Sequence, residues 1–306
     1  MTKWFPRVFG SVTVGLCLLW IVGLLLSDRW AWSQWLAWIP TLFVLLFLFV
    51  SVVLFLSTKK HRVAFVFGGV FTITVFWFCF VENRLFSNNK HEGDIKVVGW
   101  TMSHSKARSA EESANIITSL NGDITLLTHG WQVRSQQVIR DWIDAGGYRV
   151  INSQFTLLTK YTPIQVHTLI ASDGIFISMF VLDTTETLGD VLVVWAVDFP
   201  SSVVLSKMEI ANRIRLLLPK NTLPPNLVIG DFNMTGRSSA IDTIFPDLTD
   251  ASKTAGSGLM ASFPMEFPLY HIDHILVSKD LISVNYELVN PHIGRHRIQI
   301  AEIKSN

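Results

Sequence analysis

The segment Leu227-Val228-Ile229-Gly230-Asp231-Phe232-Asn233 decides how the C-terminal part of this sequence folds. Its three apolar residues predict a buried strand, and a carboxylate and an amide follow two positions apart. Side chains two positions apart in an extended chain point to the same face, so Asp231 and Asn233 are expected at one site. Asp and Asn after a strand also close turns, so this segment alone does not distinguish a functional site from a turn.

Short β-rich runs and helical stretches surround this segment on both sides. The predicted strands are 95–100, 124–127, 148–152, 174–182, 191–197, 226–229, 274–277 and 297–302. The predicted helices are 109–120, 135–145 and 206–218. Strands mixed with helices in this way predict an α/β or α+β domain over residues 95–306.

The first 90 residues differ in composition from the rest of the chain. Of the 306 residues, 49% are apolar and 16% are charged, against about 25% charged in soluble domains, which excludes an ordinary cytosolic enzyme. Residues 1–90 carry eight Lys/Arg and two Asp/Glu, whereas the remainder carries 17 and 22. We therefore expect a membrane domain over 1–82, a polar tether over 83–94 and one acidic domain over 95–306.

Three apolar runs without charged residues cover 9–27, 36–56 and 63–81. Each has about the 20 residues that a helix needs to cross a membrane, so three transmembrane helices are predicted. Basic residues precede the first run and separate the second from the third, although some also follow the third. The positive-inside rule then predicts a multi-pass protein with a cytoplasmic N-terminus and an extracytoplasmic C-terminal domain. The predicted anchors in the lipid bilayer are Trp30, Trp32, Trp35 and Trp38.

Five further segments, taken in order with Gly230-Asp231-Phe232-Asn233, resemble the endonuclease/exonuclease/phosphatase superfamily. They are Leu157-Leu158-Thr159-Lys160-Tyr161-Thr162-Pro163-Ile164, Gly256-Ser257-Gly258, Ser262-Phe263-Pro264, Tyr270-His271-Ile272-Asp273-His274-Ile275-Leu276 and Gly294-Arg295-His296-Arg297. The resemblance covers roughly residue 95 to the C-terminus and extends to a membrane-anchored bacterial subgroup. It implies a two-sheet α/β sandwich flanked by helices that hydrolyses phosphoester bonds with a divalent metal, commonly Mg²⁺.

The resemblance also implies catalytic roles for four residues. Asp231 would orient or deprotonate the attacking water, and Asn233 would hold a phosphate oxygen. Asp273 would pair with His296, fixing its imidazole and favouring the charged form beside the phosphate.

The metal-binding half of the predicted site departs from the family pattern. Thr101 stands where the family has an Asn, and His129 stands where it has a metal-binding Glu. Asp198 replaces a frequent His, and Arg295 replaces the Asp of a closing Ser-Asp-His triplet. Mg²⁺ prefers hard carboxylate oxygens, so an imidazole is a poor replacement for the Glu.

Three interpretations of these departures stay open, and with them whether the chain is an enzyme. In the first, the chain keeps phosphodiesterase activity because the guanidinium of Arg295 binds the phosphate directly. In the second, His129 and Asp198, joined by Asp231 or another nearby carboxylate, form a different metal site suited to Zn²⁺ or Mn²⁺. In the third, the chain is a pseudoenzyme whose pocket binds an anionic or phosphate-containing ligand at the membrane surface.

The predicted partners follow from charge and location. The acidic domain has scattered Lys and Arg, which disfavours nucleic acid as a substrate. Closeness to a bilayer favours a lipid headgroup or a small phosphoester. His271 and His274 flank Asp273, and as residues three apart in one strand they are expected on opposite faces, which argues against a shared metal.

Overall fold

Apolar helices form the N-terminal part of the chain in the computed structural model, which describes residues 4–87, 91–102, 107–146, 149–152 and 154–306. Helix α1 (Phe5–Leu26) is long and apolar enough to cross a membrane. Helix α4 (His61–Trp77) is continued by a turn of π-helix (Phe78–Glu82), and together they are also long and apolar enough to cross a membrane. Both have few buried residues, so their apolar side chains face outward, as expected of helices in lipid.

The second predicted span is broken. Its sequence forms helix α2 (Ala31–Ala37) and helix α3 (Thr41–Ser57), which are bent by 59° relative to each other. Pro40 explains the break, because a proline disfavours helical backbone in the residue before it. The structure thus has two helices that are long and apolar enough to cross a membrane, or three if the bent pair counts as one span, and the prediction of exactly three is not confirmed.

The body that follows has six helices and twelve strands in the part of the chain that the structure describes. The helices are α5 (Ala107–Leu120), α6 (Gln137–Gly146), α7 (Thr185–Leu188), α8 (Lys207–Leu217), α9 (Ser239–Ile244) and α10 (Ala251–Ala255). The strands are β1 (Ile95–Thr101), β2 (Ile124–Thr128), β3 (Arg149–Asn152), β4 (Phe155–Thr159), β5 (Thr162–Ser172), β6 (Ile175–Asp183), β7 (Leu192–Asp198), β8 (Leu227–Asp231), β9 (Leu248–Asp250), β10 (Asp273–Ser278), β11 (Leu281–Val289) and β12 (Ile298–Ser305).

The predicted elements are present with small changes at their ends, except that Tyr148 lies outside the described residues. Strands β4, β5, β9 and β11 were not predicted. Strand β5 is mostly exposed, and β11 is mostly half-buried, because each lies at the edge of its sheet. Neither therefore shows the apolar pattern on which a strand prediction depends.

The strands form two six-stranded sheets that pack face to face. The first has the order β11-β12-β1-β2-β4-β3, and the second has the order β5-β6-β7-β8-β10-β9. Val97, Leu126 and Ile229 belong to the core between the sheets. Helices α5 and α6 cover the outer face of the first sheet, and α8 and α9 cover that of the second. The predicted two-sheet sandwich flanked by helices is confirmed.

Gly230 lies where β8 runs beside β7, at a φ of 150°. A Cβ atom at this position would lie 1.9 Å from the carbonyl oxygen of Val197. Only glycine therefore lets the two strands reach the spacing that aligns Asp198 with Asp231.

Replacing Gly230 with Ala is expected to lower the free energy of unfolding by about 3 kcal/mol, because the contact with Val197 forces the backbone to shift. The measurement is the thermal midpoint of β-structure loss in the detergent-solubilised full chain. Gly68→Ala is the control, because its Cβ would meet nothing within 4 Å. Equal midpoints for the two variants would contradict the explanation.

The segment that joins α1 to α3 contacts the body through polar groups. The side-chain amide of Gln34 donates to the carbonyl oxygens of Val203 (2.8 Å) and Leu205 (3.0 Å). Its Oε1 accepts from the backbone N–H of Lys207 at 2.8 Å. Asp28 Oδ1 accepts from the N–H of Ala240 at 3.2 Å, at the start of α9.

The beginning of the predicted tether also contacts the body. Asn83 Oδ1 accepts from the N–H of Met260 at 2.9 Å, and Arg84 forms a β-bridge with Gly258. Together with the Gln34 contacts, this holds the body against one end of the helices. Arg7 and Lys60 line a shallow pocket between α1 and α4 at the other end.

Candidate active site

Three carboxylates form a row across neighbouring strands of the second sheet. The strand register pairs Asp198 with Asp231 and Asp231 with Asp273. Each lies two positions from a residue of the core between the sheets, such as Ile229 for Asp231. Because side chains alternate along a strand, the three carboxylates point towards the opposite sheet at the end of the apolar core.

Asp273 is the most heavily bonded member of the row and is 1% exposed. Its Oδ1 accepts from the hydroxyl of Thr101 at 2.6 Å. Its Oδ2 accepts from the hydroxyl of Ser262 at 2.6 Å and lies 2.8 Å from Nδ1 of His296. Burial opposes ionisation, but His296 and the hydrogen bonds outweigh it, so the pKa of Asp273 lies below its ordinary value.

His296 forms the predicted contact with Asp273. Burial disfavours the charged imidazole, but the carboxylates of Asp273 and Asp231 outweigh burial and raise the pKa of His296. Since Nδ1 faces Asp273, the charged ring has its Nε2 proton left for a substrate oxygen.

Asp231 differs from Asp273 in its electrostatics. It is 5% exposed, and its Oδ1 accepts from the backbone N–H of Asn233 at 3.0 Å. Burial and the negative charge of Asp273 raise the pKa of Asp231 well above its ordinary value, with His296 opposing them. A carboxylate with a raised pKa is a stronger base, which suits the predicted deprotonation of water.

Asn233 has a φ of 50°, a conformation that Asn tolerates better than most residues. Its Nδ2 donates to the carbonyl oxygen of Phe199 at 2.9 Å. An amide NH₂ carries two hydrogens, so one remains for the predicted contact with a phosphate oxygen.

At the predicted metal-binding half, His129 and Asp198 contact each other. Nε2 of His129 lies 3.2 Å from Oδ2 of Asp198, and the hydrogen bond with Asp198 raises the pKa of His129 although burial opposes this. Thr101, at the position of the family's Asn, donates its hydroxyl to Asp273. A hydroxyl and an imidazole do not fit Mg²⁺, whereas an imidazole beside carboxylates is a donor set typical of Zn²⁺ or Mn²⁺.

Arg295 lies at the rim of the site and is exposed. Its guanidinium lies 5.4 Å from the ring centroid of Phe263, and that ring lies 4.9 Å from the imidazole of His296. Arg295 and His296 therefore both lie next to the ring of Phe263, and the contact of Arg295 with phosphate stays a prediction.

Two groups of three side chains bring potential metal-ligand atoms within 4.8 Å of one another among the described residues. The first is Asp231, Asp273 and His296, and the second is Asp250, His271 and His274. The predicted set of His129, Asp198 and Asp231 is not such a group in the described part of the chain. That set stays a prediction.

The expectation that His271 and His274 lie on opposite faces is wrong. Their rings lie 4.4 Å apart, because His271 precedes β10 and does not follow the alternation of the strand. Nδ1 of His274 lies 2.6 Å from Oδ2 of Asp250, and Nε2 lies 2.9 Å from the carbonyl oxygen of Met234. Since both nitrogens of His274 have partners, a metal here would have to displace one of them.

Two residues that support the site were not identified from the sequence. Ser262 bonds to Asp273, and its place in Ser262-Phe263-Pro264 was the available signal. Lys207 is fully buried, and its Nζ donates to the carbonyl oxygens of Pro200 (2.8 Å) and Ser202 (3.3 Å), which follow β7. Burial lowers the pKa of Lys207 to about 8. The sequence around Lys207 carries no pattern that predicts this contact.

Solved structures resemble this arrangement. An endonuclease/exonuclease/phosphatase protein from Bacteroides vulgatus matches with a TM-score of 0.52 and 16% identity, over 71% of this chain and 100% of its own. A mannosyl-6-phosphatase from Bacteroides thetaiotaomicron matches with a TM-score of 0.51 and 15% identity, over 68% of this chain and 99% of its own.

The chain has the endonuclease/exonuclease/phosphatase fold. This confirms the fold predicted from the resemblance. No protein-family model and no curated protein matches the sequence. At 15–16% identity these likenesses establish the fold alone.

Proposed function

We propose that this chain is a membrane-anchored phosphoester hydrolase in which Asp231 and His296 carry out acid–base chemistry. The observation that carries this proposal is the convergence of Asp231, Asp273 and His296 within 4.8 Å. The two carboxylates have opposite pKa shifts, so one is suited to act as a base and the other to hold a charged imidazole.

The proposed reaction is attack of water on phosphorus. Asp231 accepts the proton of the water, and the new oxygen–phosphorus bond forms as the bond to the leaving oxygen breaks. That oxygen takes the Nε2 proton of the charged His296 and departs as the alcohol. Asn233 donates to one phosphate oxygen, while the charged His296 and Arg295 offset the negative charge of the others. Asp273 acts through His296 by holding its ring in place.

For a metal, we propose His129, Asp198 and Asp231 as the ligands and Zn²⁺ or Mn²⁺ as the ion. Such an ion, when bound, would polarise a phosphoryl oxygen.

Several contacts support anchoring in a membrane. Exposed Trp30, Trp32 and Trp35 lie on or next to α2, whose Gln34 bonds to the exposed apolar loop 203–205 of the body. Tryptophan and apolar side chains in this arrangement are typical of an interface with lipid. The body lies at the opposite end of the helices from Arg7 and Lys60, in keeping with an extracytoplasmic body and a cytoplasmic N-terminus.

This location makes a lipid headgroup or a small phosphoester the proposed substrate class. The mannosyl-6-phosphatase among the similar structures acts on a sugar phosphate by its name. A sugar phosphate is therefore included among the substrates to be tested.

The proposed hydrolysis is tested with an aryl phosphodiester and the full chain in detergent. EDTA-treated protein is supplied with Mg²⁺, Mn²⁺ or Zn²⁺, and nitrophenolate release is followed. We expect turnover with Mn²⁺ or Zn²⁺ to exceed that with Mg²⁺. Equal turnover with Mg²⁺ would contradict the proposed ligands, and no turnover from folded protein with any ion or substrate class would contradict the hydrolase.

A module that binds an anionic ligand without hydrolysis is the second candidate. The observation that favours it is the contact of His129 with Asp198 where the family pattern has a metal-binding Glu. Both candidates give Arg295 the same role of binding phosphate.

Replacing Arg295 with Ala is expected to weaken binding of the aryl phosphodiester about tenfold, because one charge-assisted hydrogen bond to phosphate is lost. The measurement is the Kd, or the KM if the chain turns over. Arg140→Ala is the control, since Arg140 is exposed on α6. Unchanged affinity in the Arg295 variant would show that this side chain does not bind the phosphate.

A further inference from the structure

A cavity of about 640 Å³ lies between the apolar helices and the body. Its apolar wall is formed by the ends of α1 and α4 and by the π-helical turn after α4, with Leu24, Leu25, Trp77 and Val81 among the lining side chains. Body residues that include Arg237 and Tyr270 form the opposite wall. The cavity is therefore at the level where helices that cross a bilayer would leave the hydrocarbon layer.

The polar lining of this cavity is cationic. Arg84, Arg237 and Lys253 face it together with one acidic residue, Glu82. Arg84 Nη1 donates to the carbonyl oxygen of Lys253 at 2.6 Å. The cavity thus combines an apolar wall with an excess of positive charge.

Arg237 has unmet hydrogen-bonding capacity. Its Nη1 is buried and has no hydrogen-bond partner among the residues that the structure describes, and the same holds for Nε1 of Trp77. A buried donor without an acceptor destabilises the folded state, and more so when the donor is charged. Because the side chain of Arg237 also lines the cavity, a ligand with anionic oxygens there would lie beside its positive charge.

We propose that this cavity binds an anionic phospholipid of the surrounding bilayer, with its phosphate at Arg237 and its acyl chains along the ends of α1 and α4. The proposal rests on the membrane anchoring in the proposed function but not on hydrolysis. Charge selects an anionic headgroup over a zwitterionic one, because the choline of a zwitterionic lipid would meet Arg84 and Lys253.

The bound lipid would contact two segments that lead directly to the catalytic residues. Arg237 lies four positions after Asn233, and Tyr270 lies three positions before Asp273. The ring of Tyr270 packs 5.0 Å from that of Trp38 in the bend between α2 and α3. Lipid in the cavity would therefore contact the segments that contain Arg237 and Tyr270 and hold them in place next to the helices.

The test is native mass spectrometry of the full chain in detergent, titrated with phosphatidylglycerol or phosphatidylcholine of the same acyl chains. We expect at least tenfold tighter binding of phosphatidylglycerol. Arg237→Gln is expected to remove this preference, whereas Arg140→Gln on α6 should keep it. Glu82→Gln should tighten phosphatidylglycerol binding, which provides a second readout if the Arg237 variant does not fold.

Three results would overturn the proposal. They are equal binding of the two lipids, an unchanged preference in folded Arg237→Gln, and full displacement of the lipid by equimolar sn-glycerol 3-phosphate, which would point to a soluble phosphate. Asp231→Asn separates this proposal from the hydrolase, since that variant should keep the lipid preference whether or not the wild-type chain turns over.

Discussion

Replacing Asp231 with Asn is expected to lower kcat for phosphoester hydrolysis by about 10³-fold, within the range typical of a lost general base. The amide keeps the size of the side chain but cannot accept the proton of the attacking water. The measurement is the steady-state rate with an aryl phosphodiester under the ion that supports wild-type turnover.

The same substitution should not destabilise the fold. Burial and Asp273 raise the pKa of Asp231, so its ionisation weakens the folded state, and a neutral amide removes that cost. The thermal midpoint is therefore expected to stay level or rise. Asp247→Asn, at an exposed carboxylate before β9, is the control and should keep its activity. If the Asp231→Asn variant turned over at the wild-type rate, Asp231 would be excluded as the base.

Replacing Asp273 with Asn is expected to lower the free energy of unfolding by about 3 kcal/mol at neutral pH as well as to reduce turnover. The substitution leaves the buried imidazolium of His296 without its carboxylate, and removing one partner of a buried ion pair costs about 3–5 kcal/mol. Denaturant unfolding of the full chain, followed by the loss of β-structure, measures this difference.

The pH dependence of this difference has a definite sign. The pKa of Asp273 is lowered in the folded protein, so its contribution is complete above the ordinary pKa of about 4 and at pH values where His296, whose pKa is raised, keeps its charge. It is lost as the pH falls through the lowered folded value. Ser262→Ala, which removes one hydrogen bond from the Asp273 carboxylate but keeps the ion pair with His296, should cost less, about 2 kcal/mol. A difference between wild type and Asp273→Asn that grows towards acid would contradict this electrostatic role.

The central strands could be predicted from sequence because the apolar pattern that predicts a buried strand lies within the strand itself. Leu227-Val228-Ile229 is apolar and contains two β-branched residues, and Gly230 and Asp231 mark where the apolar run ends and the site begins. Asp273 and His296 were identified because the resemblance linked segments that are far apart in sequence. Edge strand β5 was missed because solvent, rather than core, covers much of its surface.

Other features depend on contacts that no local pattern encodes. The bond between Ser262 and Asp273 and the burial of Lys207 arise only when distant segments meet. The meeting of His271 with His274 was mispredicted because the start of β10 had to be assumed. Pro40 could have predicted the bend after Trp38. The bend was missed because the run around Pro40 is apolar throughout and was interpreted as one span.

The pH–rate profile of the wild-type full chain tests the acid–base pair most directly. A base that must lose a proton and an imidazole that must keep one give a bell-shaped profile of kcat/KM, whose limbs belong to the coupled pair. Because both pKa values are raised, we expect the acidic limb above about pH 4 and the alkaline limb above about pH 6.5. A flat profile, or one that Asp231→Asn and His296→Gln leave unchanged, would contradict the account.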